Sequence, residues 1–259
     1  MKTLKVIKIG GNIINNEVDL LSFLKGFSNL IGPKILVHGG GKLASNLSNK
    51  MNIPVQLIDG RRVTNAETLD IATMVYAGKI NKNIVAKLQS FGCNSVGFSG
   101  ADGNTIIANK RPETPINYGF AGDIVKVNID VLKTLISNDI TNIFSAISHD
   151  KKGQLLNTNA DTVASELAIA FSNDYKVELY YCFEKKGVLK RMNDENSVIK
   201  KINNKKYIEL KKSNIINEGM IPKLDNCFYA LDHNVSKVCI GQPTMLFDHH
   251  SNFTTIQKL

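Results

Sequence analysis

KILVHGGGKLASNL, residues 34–47, runs a short apolar strand into three glycines and then into helical spacing. A strand that passes through glycine straight into a helix is the building unit of an α/β protein. Glycine lets the backbone approach a ligand closely, and the first N–H groups of the helix face negative charge. KVIKIGGNII, residues 5–14, has a related form and places a lysine inside the strand. Strand alternation puts Val6, Lys8 and Gly10 on one face and Ile7 and Ile9 on the other. Lys8 is therefore either a solvated edge residue or a cation aimed at a glycine-floored hollow. Each glycine loop, taken singly, reads equally well as a tight turn.

Short apolar strands (LKVIKI, KILVH, NSVGFS, NIFSAI, KVELYY, KVCIG) recur between longer helical segments. That alternation predicts an α/β fold with a mostly parallel sheet. The helical segments are EVDLLSFLKGFSNLI, KLASNLSNKMN, AETLDIATMVYAGKINKNIVAKLQSF, IDVLKTLIS, ADTVASELAIAFS and GMIPKLDNCFYALDHN. Asn128 and Asn159 are the expected N-caps of the fourth and fifth, and Thr64 or Asn65 of the third. NTIIANKRP and DIVKVN read as hairpin strands. Two lobes in one domain follow, residues 1–175 and 176–259.

A chain of 259 residues with 43% hydrophobic content buries a sizeable core. No run has the length of a membrane span, and MKTLKVIKIGG lacks the apolar core of a signal peptide. With the four cysteines in no framework, the reading is a cytoplasmic protein with reduced thiols. The five histidines show no metal-ligand spacing, so no metal residues are assigned. Much of the net charge of +9 lies between Lys185 and Lys212, where Tyr207 is the lone aromatic. Single-stranded nucleic acid recognition interleaves aromatics with cations. That run reads as a solvated face that attracts an anionic nucleotide, and no nucleic-acid partner is expected.

The common nucleotide motifs are missing. HGGGK has Leu43 where a P-loop needs Ser or Thr, and there is no GxGxxG. DGRRVTNAETLD places Arg61 and Arg62 in a loop before a long helix, either as surface arginines or as a bidentate clamp on a carboxylate. QLLNTNADTVASELA puts Asn157 and Asn159 ahead of Asp161, whose place in a first helical turn is by itself ordinary dipole chemistry. INEGMIPKLDNC sets Gly219 and Met220 at a helix start with Lys223 one turn in.

KIGG, HGGG, GRRVT, LLNTNAD and EGMIPK, in that order across nearly the whole chain, resemble the amino acid kinase family, most closely its acetylglutamate kinases. The resemblance implies a three-layer sandwich with a mostly parallel central sheet. It also implies ATP-dependent phosphorylation of the γ-carboxylate of an N-acylated L-glutamate, a step of arginine biosynthesis. Its N-terminal lobe is for acyl amino acid binding and dimerisation, and its C-terminal lobe is for ATP.

By the same resemblance Lys8 and Lys223 flank the transferring phosphoryl group and Asp161 holds both. Gly10, Gly11, Gly40 and Gly41 offer backbone N–H groups to phosphates and acceptor. Arg62 clamps the α-carboxylate and Asn157 hydrogen-bonds the same substrate. Asn217 and the segment of Glu184, Gly187, Val188 and Leu189 are assigned to the nucleotide, with Mg²⁺ bound along with ATP.

Two departures from the family pattern stand out. YYCFEKKGVLKR has Glu184 where an aspartate is usual. Arg61 stands where an apolar residue is usual, and either is exposed or reads a second carboxylate on the acyl group, as N-succinylglutamate carries and N-acetylglutamate does not. A uridylate kinase and a non-catalytic binding member are the alternatives; retention of Lys8, Asp161 and Lys223 favours catalysis. The first strand begins almost at once, so an arginine-insensitive homodimer is expected, with AETLDIATMVYAGKINKNIV a candidate interface.

Overall fold

The computed structural model describes residues 1–58, 60–216, 220–248 and 250–258. Strand β1 (Thr3–Ile9) runs through the middle of the molecule. Its alternation is as expected: Leu4 and Val6 enter one hydrophobic core, Ile7 and Ile9 the other. β1 pairs in parallel with β2 (Lys34–His38) on one side and with β11 (Lys176–Cys182) on the other. Beyond β2 lie β8 (Thr141–Phe144) and β5 (Ser95–Phe98); beyond β11 lie β13 (Lys237–Gly241), β14 (Thr254–Ile256) and β12 (Lys201–Ile202). Among the described pairings of this sheet, β13 with β14 is antiparallel and the rest are parallel.

Helices cover both faces, as a parallel sheet buried on both sides requires. Helices α1 (Gly11–Asn15), α2 (Glu17–Ser28), α3 (Gly41–Lys50), α4 (Ala66–Thr73) and α5 (Asn81–Ser90) supply one core. Helices α6 (Asp130–Ser137), α7 (Ala160–Phe171), α8 (Asn204–Lys212) and α9 (Ile221–Asp232) supply the other. The three-layer α/β sandwich is thus as expected. Asn65 and Asn159 cap α4 and α7 with their side-chain oxygens. Asn128 does not cap α6: Ile129 holds that position, and the Asn128 amide donates to the Asn104 carbonyl instead. The single long helix expected over residues 66–91 is divided by a π-helical stretch, Met74–Ile80, which carries Tyr76 toward the glycine loop. Periodicity did not anticipate α1 or α8, which are short or mostly polar.

A second sheet stands over the end of the first, in the order β10 (Leu155–Asn157), β9 (Ile147–His149), β6 (Ile106–Lys110), β7 (Gly122–Val127). β6 and β7 form the expected antiparallel hairpin. The stretch NIFSAI divides: its first half ends β8 in the large sheet, and its last residue opens β9 in the small one. A short hairpin of β3 (Leu57–Ile58) and β4 (Arg61–Arg62) closes the same end. The chain leaves β1 toward β2 and returns beside it as β11, so a topological switch point lies at β1, where open α/β sheets bind ligands.

Candidate active site

Lys8 is the penultimate residue of β1, in register with Val37 of β2 and Tyr181 of β11. Its ammonium stands 2.7 Å from Asp161 Oδ1. Lys223, in the first turn of α9, donates to Asp161 Oδ2 at 2.6 Å. One carboxylate thus bridges two lysines that are far apart in sequence. Asn159 fixes the aspartate by accepting from the Asp161 N–H at 2.8 Å, which places the carboxylate in the first turn of α7. Tyr181 supports the group from below: its hydroxyl donates to the Asp161 carbonyl at 3.0 Å, and Lys223 lies over its ring at 5.1 Å.

The three charged side chains are only 13–17% exposed. Burial by itself would raise the Asp161 carboxyl, but Lys223 and Lys8 outweigh it and hold the group well below the usual carboxylate range. Burial also lowers the Lys8 ammonium from its ordinary 10.5; Asp161 opposes that shift and Lys223 adds to it.

Beside Lys8 opens a pocket of about 250 Å³. Gly39, Gly40 and Gly41 line one wall, Arg61 and Arg62 another, and Asn157 to Asp161 a third. Arg62 is nearly buried; its Nη2 donates to the Gly41 carbonyl at 2.9 Å and to Ser45 Oγ at 2.7 Å. Its Nη1 is buried with no hydrogen-bond partner among the described residues. Asn157 Nδ2 donates to Thr64 Oγ1 at 3.0 Å, which leaves the amide oxygen as its acceptor for a ligand. A Cβ on Gly40 would lie 2.5 Å from Ile80 Cδ1 and 2.6 Å from Tyr76 Cδ1, so the π-helical stretch packs against the loop only because that residue is glycine.

The amino acid kinase family model matches residues 3–242. The chain belongs to the amino acid kinase family. Among its relatives, a protein of Cytophaga hutchinsonii named acetylglutamate kinase is 54% identical over 96% of this chain and 94% of its own length. One of Parabacteroides distasonis with the same name is 46% identical over 93% of this chain and 95% of its own. A solved Streptococcus mutans structure superposes with a TM-score of 0.82 at 27% identity, covering 98% of each chain.

Within this family member, the structure brings Lys8, Gly11, Gly40, Gly41, Arg61, Arg62, Asn157 and Asp161 around one pocket. Lys223 joins them through Asp161. Gly10 caps α1, and its N–H is spent on the Cys182 carbonyl at 3.1 Å. It is therefore no donor to a phosphate, and its contribution is to turn the chain from β1 into α1. Glu184 is exposed, and its carbonyl accepts from Gln242 Nε2 at 2.8 Å. Gly187, Val188 and Leu189 are packed inward: a Cβ on Gly187 would meet Thr254 Oγ1 at 2.7 Å, and the Val188 N–H donates to that hydroxyl at 2.8 Å. Asn217 and the helix-start residue Gly219 lie outside the described residues.

Sequence reading missed Tyr76 and Tyr181. Tyr76 follows Leu69 and Ala72 at helical spacing and so looks like a core residue, yet its ring lines the pocket and its phenol lies against the Arg62 guanidinium. Tyr181 looks like one more apolar strand position until the register sets it beside Lys8.

Proposed function

We propose that this chain catalyses ATP-dependent phosphorylation of the γ-carboxylate of an N-acyl-L-glutamate, giving an acyl phosphate and ADP, a step of arginine biosynthesis. The observation that carries the reading is the bridging of Lys8 and Lys223 by Asp161 at the mouth of a pocket that holds a nearly buried arginine. Relatives named acetylglutamate kinase over nearly the whole chain support it.

In this reading the acceptor lies in the pocket with its α-carboxylate on Arg62 and its amide N–H on Asn157 Oδ1. The γ-carboxylate is already ionised at neutral pH and needs no general base. One of its oxygens forms the new bond to the γ-phosphorus as the bond to the bridging oxygen of ADP breaks. Lys8 and Lys223 neutralise the equatorial oxygens, which is how a protein assists phosphoryl transfer. Asp161 keeps the two ammonium groups protonated and apart. The N–H groups of Gly11, Gly40 and Gly41 are the backbone donors. The N-terminal lobe, residues 1–175, takes the acyl amino acid and carries the dimer contact; residues 176–259, with Glu184, Gly187, Val188, Leu189 and Asn217, take ATP.

Mg²⁺ bound with the nucleotide would offset the negative charge of the phosphates. Asp161 has both oxygens on lysines and is no ligand for it, and among the described residues no cluster of three His, Cys, Asp or Glu could hold a metal. The ion therefore fits as a passenger on ATP. We also read the protein as a cytoplasmic homodimer; among the described residues no helix is long and apolar enough to cross a membrane.

Arg61 lines the pocket beside Arg62, which favours a second version of the acceptor: an N-succinyl group, whose extra carboxylate this guanidinium would meet. The test is ADP release with ATP, Mg²⁺ and N-acetylglutamate, N-succinylglutamate or free glutamate, with the acyl phosphate trapped by hydroxylamine. Turnover confined to N-acyl acceptors is the expected result. Turnover of a nucleoside monophosphate instead, or of no acceptor, would sink it.

A further inference from the structure

Behind the glycine loop lies a buried polar chain that the roles above do not use. His38 ends β2 and is fully buried, with its Nδ1 2.9 Å from the Gly39 carbonyl. Its Nε2 is 3.1 Å from Asn81 Nδ2 at the start of α5, and the same amide nitrogen is 3.0 Å from the Ile143 carbonyl. A carbonyl only accepts, so the atom that faces Ile143 is the amide nitrogen, and its second hydrogen goes to His38. Nε2 is therefore the bare, accepting nitrogen. The proton of the neutral ring must then sit on Nδ1, where it is donated to Gly39. Burial keeps the ring neutral by pushing it down to about 4.

The consequence appears one peptide further on. In a trans peptide the C=O and N–H point to opposite sides. Drawing the Gly39 carbonyl back to the imidazole turns the Gly40 N–H away from it, and Gly40 is one of the residues that line the pocket. Among the described residues no acceptor takes that N–H. A run of three glycines has no side chain to resist a peptide flip, so the orientation needs an external hold. The chain keeps this arrangement although the Asn81 amide oxygen is left buried with no partner among the described residues.

We propose that Asn81 and His38 are positioning residues that lock the Gly39–Gly40 peptide so that the Gly40 N–H is presented to an oxygen of the acceptor or of the transferring phosphoryl group. Asn81 selects the histidine tautomer, the histidine selects the peptide orientation, and the peptide supplies the donor. This rests on the activity proposed above.

Two measurements test it. Long-range ¹H–¹⁵N correlation on the labelled wild type reads the His38 tautomer, assigned by its loss in His38→Asn. Nδ1–H is expected, and Nε2–H overturns the lock. In kinetics, an asparagine at 38 places its amide nitrogen where Nδ1 was and keeps the donor to Gly39. A glutamine places its amide at the Nε2 position and loses that donor. We expect kcat/KM for the N-acylglutamate to fall about 10–100-fold in His38→Gln. His38→Asn should recover most of that loss, with KM for ATP unmoved in both. Equal losses in the two variants, tracking equal falls in Tm, would mean a merely structural histidine. A wild type with the Nδ1–H form that phosphorylates no acylglutamate refutes the proposed activity and not the lock.

Discussion

Lys223 reaches from the first turn of α9 to donate to Asp161 on α7 at 2.6 Å, while the other oxygen of that carboxylate faces Lys8 of β1 at 2.7 Å. A helix from the C-terminal part of the chain is thereby tied to the central strand through one side chain. The tie is electrostatic, nearly buried, and stands beside the pocket that Arg62 lines.

Asp161→Asn should lower kcat about 100-fold or more, because two unscreened ammonium groups then repel where they must converge. It should also cost about 3 kcal/mol of stability, the scale for removing one partner of a buried ion pair. The pH dependence carries a sign. The folded carboxyl titrates below its unfolded value of about 3.9, so the unfolded chain binds the extra proton between the two. The contribution is complete above the unfolded value and is lost as pH falls through the lower folded one. Urea unfolding of wild type and variant should therefore give a difference that is flat from about pH 5 to 7 and narrows below about pH 4. A difference that widens in acid would contradict the ion pair.

Lys8 sets the alkaline limit. Its ammonium loses its proton at a pH below the ordinary 10.5, chiefly because it is buried. The unfolded chain holds that proton longer, so stability rises with pH between the folded and unfolded values, while activity falls as the neutral amine appears. In kcat against pH the wild type should show a descending limb below pH 10.5. Lys8→Arg should be slower throughout but without that limb, since a guanidinium does not deprotonate there.

Arg62→Lys should raise KM for the acceptor about 10–100-fold with a smaller change in kcat. Lysine cannot hold the Gly41 carbonyl and Ser45 while offering a second nitrogen to a carboxylate, as the guanidinium does. Steady-state kinetics with the acceptor varied at saturating ATP would show it. A pure kcat loss would place Arg62 at the phosphoryl group instead.

Arg61→Leu probes the acyl group. If Arg61 meets a second carboxylate, kcat/KM for N-succinylglutamate should drop about tenfold or more while that for N-acetylglutamate stays within about threefold. Equal values for the two substrates in both proteins would make Arg61 a bystander on the rim of the pocket.

Much of this was legible from residues alone, for local reasons. The alternation of KVIKI assigns Lys8 a face, the asparagines ahead of AETLD and ADTVA predict their own caps, and apolar strands between helical segments dictate a parallel sheet. Those are consequences of strand and helix periods and of short-range hydrogen bonding, which act within a few residues. What the fold alone decided are pairings between distant segments. Asn128 looked like a cap but finds the Asn104 carbonyl; Gly10 looked like a phosphate donor but gives its N–H to Cys182. NIFSAI looked like one strand but serves two sheets. His38 and Asn81 meet only because α5 packs on β5 and β8 and so reaches the end of β2, and Lys8, Asp161 and Lys223 meet only because β1 lies beside α7 and α9 packs on α7. Periodicity states which way a side chain points along its own element; which partner it meets depends on how the elements pack.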